Sequence, residues 1–376
     1  MKTMSTNLPH FVQHTISARF GTTPDDVQIT PIRHGLIDRN NVWRLEHAGE
    51  LYLLKQHLVS EPIGASTFTP FQIESSVLSV LHQAGCRVPE IVWKSEPYLL
   101  LEWCGTSTLD EYAQAKSPKD FMTVRNSVVR ELCRIEQGFA NHTDAIAPYV
   151  FPLNLCNTMA AILAQAGKTI RYLVRLGEES TFTNRHADID SVWTEFATRL
   201  QAASTDPRMD GQTNCAHSAT LGGLDYNARN VVIDSETPTF IDFASVGWDW
   251  QARRLVQTLN SLGAYRQDGN FVTLLDSEVV ELYINESENH QLGHRMPEFA
   301  TLIDCHQLLF YLVAIYRLVS AVAQPDTIEN RTLLCAWGDP KSRLRRAVTL
   351  LADSRLSDDP CVHQIREFIA AFRQIF

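Results

Sequence analysis

The sequence predicts an α+β fold of two lobes: a small N-terminal lobe with an antiparallel sheet and one helix, and a large, mostly helical C-terminal lobe. Short apolar runs separated by turn residues fill the stretch between residues 27 and 103, which is the pattern of strands. Beyond Gly105 the apolar spacing becomes that of helices. A hairpin pattern at residues 230–243 interrupts this helical part. A length of 376 residues is enough for two lobes with buried cores.

The composition is that of a soluble globular protein, with 44% hydrophobic and 20% charged residues. The net charge of −10 argues against broad nucleic-acid binding, which favours basic surfaces. It would suit a cationic substrate, although such acidity is common among cytosolic enzymes. The eight cysteines include no C-x-x-C pair, and most lie in apolar surroundings, as buried free thiols do. We therefore expect a cytoplasmic protein that binds no nucleic acid.

The sequence predicts no membrane segment. The first 14 residues lack an apolar core long enough for a signal peptide. The most apolar segment, 308–322, contains Arg317 and is shorter than the roughly 20 residues of a membrane span. We expect it to be a buried helix.

The N-terminal lobe is predicted from alternating apolar runs and amphipathic spacing. The predicted strands are 27–32, 41–46, 51–56, 88–93 and 98–103, and the predicted helices are 9–20 and 73–81. Gly35 lies in a turn-rich loop between the first two strands. Lys55 closes the third strand, either as an ordinary strand-end residue or as an ammonium for phosphate oxygens. Glu74, 19 residues later, either favours the helix N-terminus or pairs with Lys55.

The hairpin at residues 230–243 brings polar groups together. An apolar run from Asn230 passes a turn at 234–238 and returns as a second run that contains Asp242. Pairing the runs would bring Asn230 and Asp242 close, and an amide with a carboxylate supplies the oxygen ligands that Mg²⁺ prefers. Asp225, five residues before Asn230, is a carboxylate that could accept the proton of a hydroxyl.

The spacing D-x-x-x-x-N followed by I-D-F, with Lys55 and Glu74 upstream, resembles the aminoglycoside phosphotransferase and choline kinase family, the small-molecule kinases of the protein-kinase-like fold. The stretches G-C-R-V-P-E-I-V and Y-L-L-L-E-W are also similar to that family. The resemblance implies a nucleotide-binding N-lobe at residues 1–104. It implies a C-lobe at residues 105–376 that carries the catalytic loop and the substrate-binding helices.

The same resemblance implies a kinase that uses ATP and Mg²⁺ to phosphorylate a hydroxyl of a small molecule. Asp225 would orient or deprotonate that hydroxyl, and Asn230 and Asp242 would hold Mg²⁺. The residues implied in nucleotide binding are Gly35, Lys55, Glu74, Glu102 and Cys104, the last two through the backbone of the hinge between the lobes. We expect a monomer or a homodimer.

A small-molecule acceptor is favoured over a peptide by two features. The segment between Asp242 and the helix predicted from residue 252 is too short for a peptide-docking activation segment. Asn227 stands where protein kinases carry a lysine. The acceptor itself stays open among aminoglycosides, amino alcohols, sugars, homoserine and other metabolites or antibiotics. We expect its pocket between the 105–212 helices and the C-terminal helices.

Two residues depart from the family pattern. Gly223 replaces a histidine that buttresses the catalytic loop, and Arg253 replaces an aspartate four residues after Asp249. Asp249 itself matches and would support the loop. Gly223 favours a first alternative, a nucleotide-binding pseudokinase or regulatory module without turnover, whereas the retained Asp225 argues against it. A second alternative is an enzyme of the same fold that transfers adenylyl instead of phosphoryl groups.

Other patterns in the C-terminal part are weaker. Its predicted helices are 108–115, 119–138, 154–179 with a break, 192–203, 252–263, 271–285, 297–323, 329–336, 340–353 and 361–375. The pairs His10/His14 and His290/His294 have zinc spacing without a third ligand pattern. The sequence G-K-T at 167–169 matches only the end of a phosphate-loop motif within a predicted helix, so we interpret it as a chance match.

Overall fold

The computed structural model describes most of the chain with its side chains. The described residues are 10–32, 40–62, 66–152, 154–179, 188–204, 219–260, 274–290, 298–331 and 339–376. Gly35 and His294 lie outside them, as does most of the helix predicted at 329–336.

The N-terminal elements form one five-stranded sheet with two helices. They are α1 (His10–Phe20), β1 (Gln28–Pro31), β2 (Asn40–His47), β3 (Glu50–His57), α2 (Pro70–Gln83), β4 (Ile91–Ser95) and β5 (Tyr98–Glu102). The sheet order is β1-β2-β3-β5-β4, and every neighbouring pair is antiparallel. Each predicted strand and helix of this part is present, which confirms the predicted antiparallel sheet.

The rest of the chain is mostly helical. Its elements are β6 (Ser107–Thr108), α3 (Leu109–Ala115), α4 (Pro118–Asn141), α5 (Thr143–Ile146), α6 (Leu155–Glu179), α7 (Ile189–Ala203), β7 (Ala219–Gly223), β8 (Val231–Asp234), β9 (Thr237–Phe240), β10 (Val246–Trp250), α8 (Gln251–Leu259), α9 (Ser277–Asn289), α10 (Glu298–Ala323), α11 (Pro340–Asp353) and α12 (Pro360–Ala370). Two small antiparallel sheets, β6-β8-β9 and β7-β10, carry the candidate catalytic segments.

β5 separates two apolar cores, because successive side chains of a strand point to opposite faces. Tyr98 and Leu100 pack in a cluster with residues of α1, β2 and β3. Leu99 and Leu101 belong to a larger cluster that contains the apolar face of α2 and also residues of α4. A capping box at Thr69 and Gln72 begins α2 and fixes its direction. The N-terminal sheet is therefore joined to the helical part through α2.

Three details differ from the sequence predictions. α6 runs through 25 residues without the predicted break. β6, β7 and β10 were not predicted as strands, and α5 was not predicted as a helix. The turn of the β8–β9 hairpin is shorter than predicted, since only Ser235 and Glu236 have positive φ, as a two-residue turn of the primed type requires. β9 consequently ends at Phe240, and Asp242 lies beyond the strand rather than within it.

The G-K-T sequence lies in the middle of α6, where Thr169 Oγ1 donates a hydrogen bond of 2.6 Å to Leu312 O of α10. This packing role agrees with the interpretation of a chance match. α10 itself is long and apolar enough to cross a membrane, with a mean hydropathy of 1.5 in its most apolar window. Of that window 78% is buried inside the molecule, as in the core helix of a soluble protein. The prediction of a buried helix at 308–322 is confirmed.

Candidate active site

Lys55 of β3 lies between two carboxylates. Its Nζ is 2.8 Å from Glu74 Oε2 of α2 and 2.9 Å from Asp242 Oδ1, which follows β9. The structure therefore brings Lys55 and Glu74 together as the sequence predicted, and it adds a contact with Asp242 that was not predicted. Lys55 and Glu74 are both buried, whereas the Asp242 side chain keeps 35% of its surface exposed. Asp242 is thus the member of the group that an incoming ligand can reach.

Mutual neutralisation keeps this group charged despite its burial. Burial alone would lower the pKa of Lys55, but Asp242 and Glu74 outweigh it and raise that pKa above the ordinary range. Burial alone would raise the pKa of Glu74, but Lys55 and His57 outweigh it and lower that pKa to about 2. The Lys55 ammonium and the Glu74 carboxylate are therefore ionised at neutral pH.

His57 is a member of this site that the sequence did not reveal. It follows Lys55 by two residues, so its side chain lies on the same face of β3. Its Nε2 lies 2.8 Å from Glu74 Oε2, and its ring packs edge-on against Phe71 of α2. Its backbone N–H donates to Pro97 O at 2.9 Å, which fixes the strand at that point. Glu74 is therefore held from two sides, by Lys55 and by His57.

In the nucleotide-binding role that the sequence resemblance implies for Lys55 and Glu74, replacing His57 with phenylalanine should weaken ATP binding by about tenfold, because a charge-assisted contact of about 1.5 kcal/mol is lost and the Glu74 carboxylate can turn away from Lys55. His57→Gln, which keeps a donor, should restore most of the affinity. The measurement is the KM for ATP beside kcat, with His82→Phe, a change at an exposed histidine of α2, as the control. A KM for His57→Phe equal to that of His82→Phe would contradict a positioning role for His57.

Asp225 and Asn230 are joined by hydrogen bonds in the loop after β7. Asn230 Nδ2 donates to the backbone oxygen of Asp225 at 2.9 Å and lies 3.3 Å from Asp225 Oδ2. Asn227 Nδ2 donates to Asp225 Oδ1 at 2.9 Å. The backbone N–H of Ile241 donates to Asn230 O at 2.9 Å, so Asn230 and the segment that leads to Asp242 are neighbours. Two amides thus fix the Asp225 carboxylate beside Asn230.

Asp242 has a left-handed backbone, with φ of +66°. Aspartate tolerates this conformation better than most residues, and strained backbones of this kind concentrate at functional sites. No cluster of three or more His, Cys, Asp or Glu side chains with metal-binding geometry occurs in the described part of the chain. The oxygens of Asp225, Asn230 and Asp242 fit Mg²⁺, which is commonly held by one or two carboxylates together with substrate phosphates and water.

Comparisons with known proteins bear on the fold. No protein-family model matches the chain, and no curated protein matches its sequence. A choline kinase from Cryptosporidium parvum matches the structure with a TM-score of 0.53 over 96% of this chain and 99% of that protein, at 10% identity. The chain has the protein-kinase-like fold. A Ralstonia eutropha protein assigned as an aminoglycoside phosphotransferase matches with a TM-score of 0.51 over 92% of this chain and 93% of its own, also at 10% identity.

Glu102 ends β5 and Cys104 follows it, at the position where the sequence resemblance implies the hinge. The Glu102 N–H donates to Glu90 O at 3.0 Å within the sheet, and the Cys104 thiol donates to Glu102 O at 3.6 Å. Burial raises the pKa of the Cys104 thiol to about 12, so it stays protonated. Gly105 has φ of +129°, and a Cβ there would lie 2.8 Å from Ile233 O of β8. Glycine thus lets the hinge lie directly against the hairpin that leads to Asp242.

At Gly223, where the family pattern has a histidine, the ring of Tyr226 fills the space that a side chain would occupy. A Cβ on Gly223 would lie 3.0 Å from Cζ of Tyr226, whose buried ring packs edge-on against Phe240 and Phe243. The loop that carries Asp225 is therefore supported by its own tyrosine. The signal available in the sequence was the pairing of a glycine with an aromatic residue three positions later.

The Arg254 side chain holds β7 and β10 together through hydrogen bonds. Its fully buried guanidinium donates to Thr220 Oγ1 at 2.8 Å, to Leu221 O at 3.4 Å and to Gly247 O at 3.3 Å, and also to Thr220 O. A Cβ on Gly222 would lie 2.5 Å from Arg254 Cζ. Glycine is therefore required at position 222, because a Cβ there would overlap the Arg254 guanidinium.

Asp249 is buried and paired with Arg253, the residue that replaces the family's aspartate. Its other oxygen accepts the N–H of Trp250 at 2.8 Å. Both oxygens are thus used at the start of α8. The backbone of Asp249 pairs with Thr220 of β7, the strand that precedes the loop of Asp225. Support of that loop by Asp249 stays a prediction.

A cavity of about 580 Å³ lies among the first half of α6, α8 and α10. It begins at Pro152, next to Phe151, whose N–H donates to Val246 O at 2.8 Å. Val246 is paired with Gly223, two residues before Asp225. A cavity of this size suits a small molecule, and its lining residue Pro152 directly follows the residue that is hydrogen-bonded to β10.

Proposed function

We propose that this protein is an ATP- and Mg²⁺-dependent phosphotransferase that moves the γ-phosphate to a hydroxyl of a small molecule in the cytoplasm. The observation that carries the proposal is the contact of Lys55 with both Glu74 and Asp242, beside a loop in which Asn230 contacts Asp225. Phosphoryl transfer needs little covalent chemistry from a protein, so positioned charges of this kind supply most of the catalysis.

Each residue has a distinct role in this proposal. Asp225 accepts the proton of the acceptor hydroxyl, and Lys55 binds phosphate oxygens while Glu74 directs it. Asn230 and Asp242 hold Mg²⁺, which supplies neutralisation of the phosphate charge when bound. The base of the nucleotide lies against the hinge at Glu102 and Cys104, with the loop of Gly35 over the phosphates. The nucleotide thus lies between an N-lobe of residues 1–104 and a C-lobe of residues 105–376.

The acceptor lies in the cavity between α6, α8 and α10, in agreement with the region expected from the sequence. Its class comprises hydroxylated metabolites or antibiotics, among them aminoglycosides, amino alcohols and sugars. The packing of Tyr226 against Gly223 supports an active enzyme over a binding module without turnover, because the loop keeps a buttress. We propose a monomer or a homodimer that acts without nucleic acid or membrane.

The nucleotide site is tested by thermal unfolding with and without Mg·ATP, for the wild type and Asp242→Asn. ATP at a hundred times its Kd should stabilise the wild type by about 2.7 kcal/mol, or a few degrees in Tm. The shift should require Mg²⁺ and shrink in Asp242→Asn. Asp234→Asn, the same change at an exposed residue, is the control and should keep the full shift. A wild type that no nucleotide stabilises would overturn the proposal.

A further inference from the structure

The cavity among α6, α8 and α10 is an elongated groove whose long sides are α6 and α10. Its α10 side runs from His306 to Arg317 and its α6 side from Asn154 to Gln165, in both cases along one helix face. Eleven residues of α-helix span about 17 Å. A molecule that fills this groove is therefore extended rather than compact.

The lining of the groove mixes apolar and polar side chains. Ile162 of α6, Val256 of α8 and Leu309, Phe310 and Val313 of α10 are its larger apolar members. Five further lining side chains are amides or hydroxyls, which hydrogen-bond to a ligand without demanding a charge: Asn154, Asn157, Thr158, Gln165 and Gln257. The lining thus fits an amphipathic molecule.

The charges of the groove have one sign. Its ionisable lining residues are Arg253, His306 and Arg317, and no Asp or Glu is among the described residues that line it. Arg253 is neutralised by its ion pair with Asp249. Arg317 is exposed and has no ion pair within the part of the chain that the structure describes. A cation entering the groove meets no carboxylate, whereas an anion meets the guanidinium of Arg317.

We propose that the acceptor is an elongated amphipathic hydroxyl compound with one anionic group, such as a carboxylate, which pairs with Arg317. This inference rests on the proposed function. In the transfer, the hydroxyl oxygen bonds to the γ-phosphorus as the bond from that phosphorus to the oxygen of ADP breaks, and the hydroxyl proton passes to Asp225. The cationic members of the acceptor class, aminoglycosides and choline-like amino alcohols, are poor ligands of this groove despite the acidic net charge of the chain.

The test uses three probes that differ only in charge at one end: 12-hydroxydodecanoate, 1,12-dodecanediol and 12-amino-1-dodecanol. Their binding is measured by calorimetry without nucleotide, and then ADP release is measured with Mg·ATP. In the wild type the anion should bind at least tenfold more tightly than the cation, with the diol between them. Arg317→Glu should remove or reverse this order, and Ala161→Trp, which fills the groove, should remove binding of all three.

Lys341→Glu, the same charge change at an exposed residue of α11 outside the groove, is the control and should leave the order intact. The inference is overturned if the cation binds as tightly as the anion, if Arg317→Glu leaves the order unchanged, or if none of the probes binds the wild type. If the probes bind in the expected order of charge but Mg·ATP does not stabilise the protein, the proposed kinase activity is wrong and the groove assignment still holds. ADP release with cationic alcohols as acceptors would support the proposed kinase activity and overturn the groove assignment.

Discussion

Replacing Asp225 with asparagine should lower kcat by about 10²- to 10⁴-fold while ATP binding is retained. Asparagine has the shape of aspartate but cannot accept the acceptor's proton, and positioned general bases contribute about this factor. The loop itself should survive, because its other anchors are the backbone oxygen of Asp225 and the ring of Tyr226. A loss in kcat with an unchanged thermal shift by Mg·ATP therefore separates chemistry from folding.

The measurement is ADP release with an acceptor found by screening hydroxyl compounds, or with water as the acceptor if none is found. Asp234→Asn makes the same chemical change at the end of β8 and should leave kcat within about twofold. If Asp225→Asn and Asp234→Asn have equal rates, Asp225 is not the proton acceptor.

Replacing Arg254 with methionine should destabilise the protein by about 3–5 kcal/mol, the range found when a buried charged group is removed and its partners are left unpaired. The guanidinium bridges β7 and β10, and its loss leaves carbonyl groups of both strands buried without donors. Burial raises the pKa of the neighbouring Glu136 to about 7, with Arg254 opposing the rise, so the variant should also protonate Glu136 more readily.

Urea unfolding of Arg254→Met gives this loss directly, and Arg345→Met on the exposed side of α11 should change stability by less than about 0.5 kcal/mol. Gly222→Ala should also destabilise, because its Cβ would overlap the guanidinium. The double variant should lose less than the sum of the two, since the methionine removes the clash. Additive losses would show that Gly222 and Arg254 do not act on each other.

The sequence identified those site residues whose spacing along the chain reflects their chemical role. The residues alone left Lys55 and Glu74 with ordinary roles, and the resemblance to the small-molecule kinases favoured their pairing across 19 residues. Glu74 is the fifth residue of α2, not part of its first turn as the sequence predicted. The closeness of Asp225 and Asn230 is local, so an unaligned sequence contains it.

The features that the sequence did not reveal depend on tertiary contacts, which the periodicities of helices and strands do not encode. His57 is one of 13 histidines, and only its packing against Glu74 distinguishes it. β7 reads A-T-L-G-G, and two glycines disfavour a strand unless a partner such as Arg254 requires the space. The contact of Asp242 with Lys55 joins residues 187 positions apart, and tertiary structure alone creates it.

Helix α2 also determines which parts of the molecule unfold together. Its apolar face belongs to the same core as α4, whereas the layer of α1 packs in a core of its own. The α1 layer can therefore open locally at low cost, while α2 and the helices behind it must separate together as one cooperative unit. A nucleotide held through Glu74 and Lys55 would consequently protect backbone amides of α4 against hydrogen exchange, although it touches none of them.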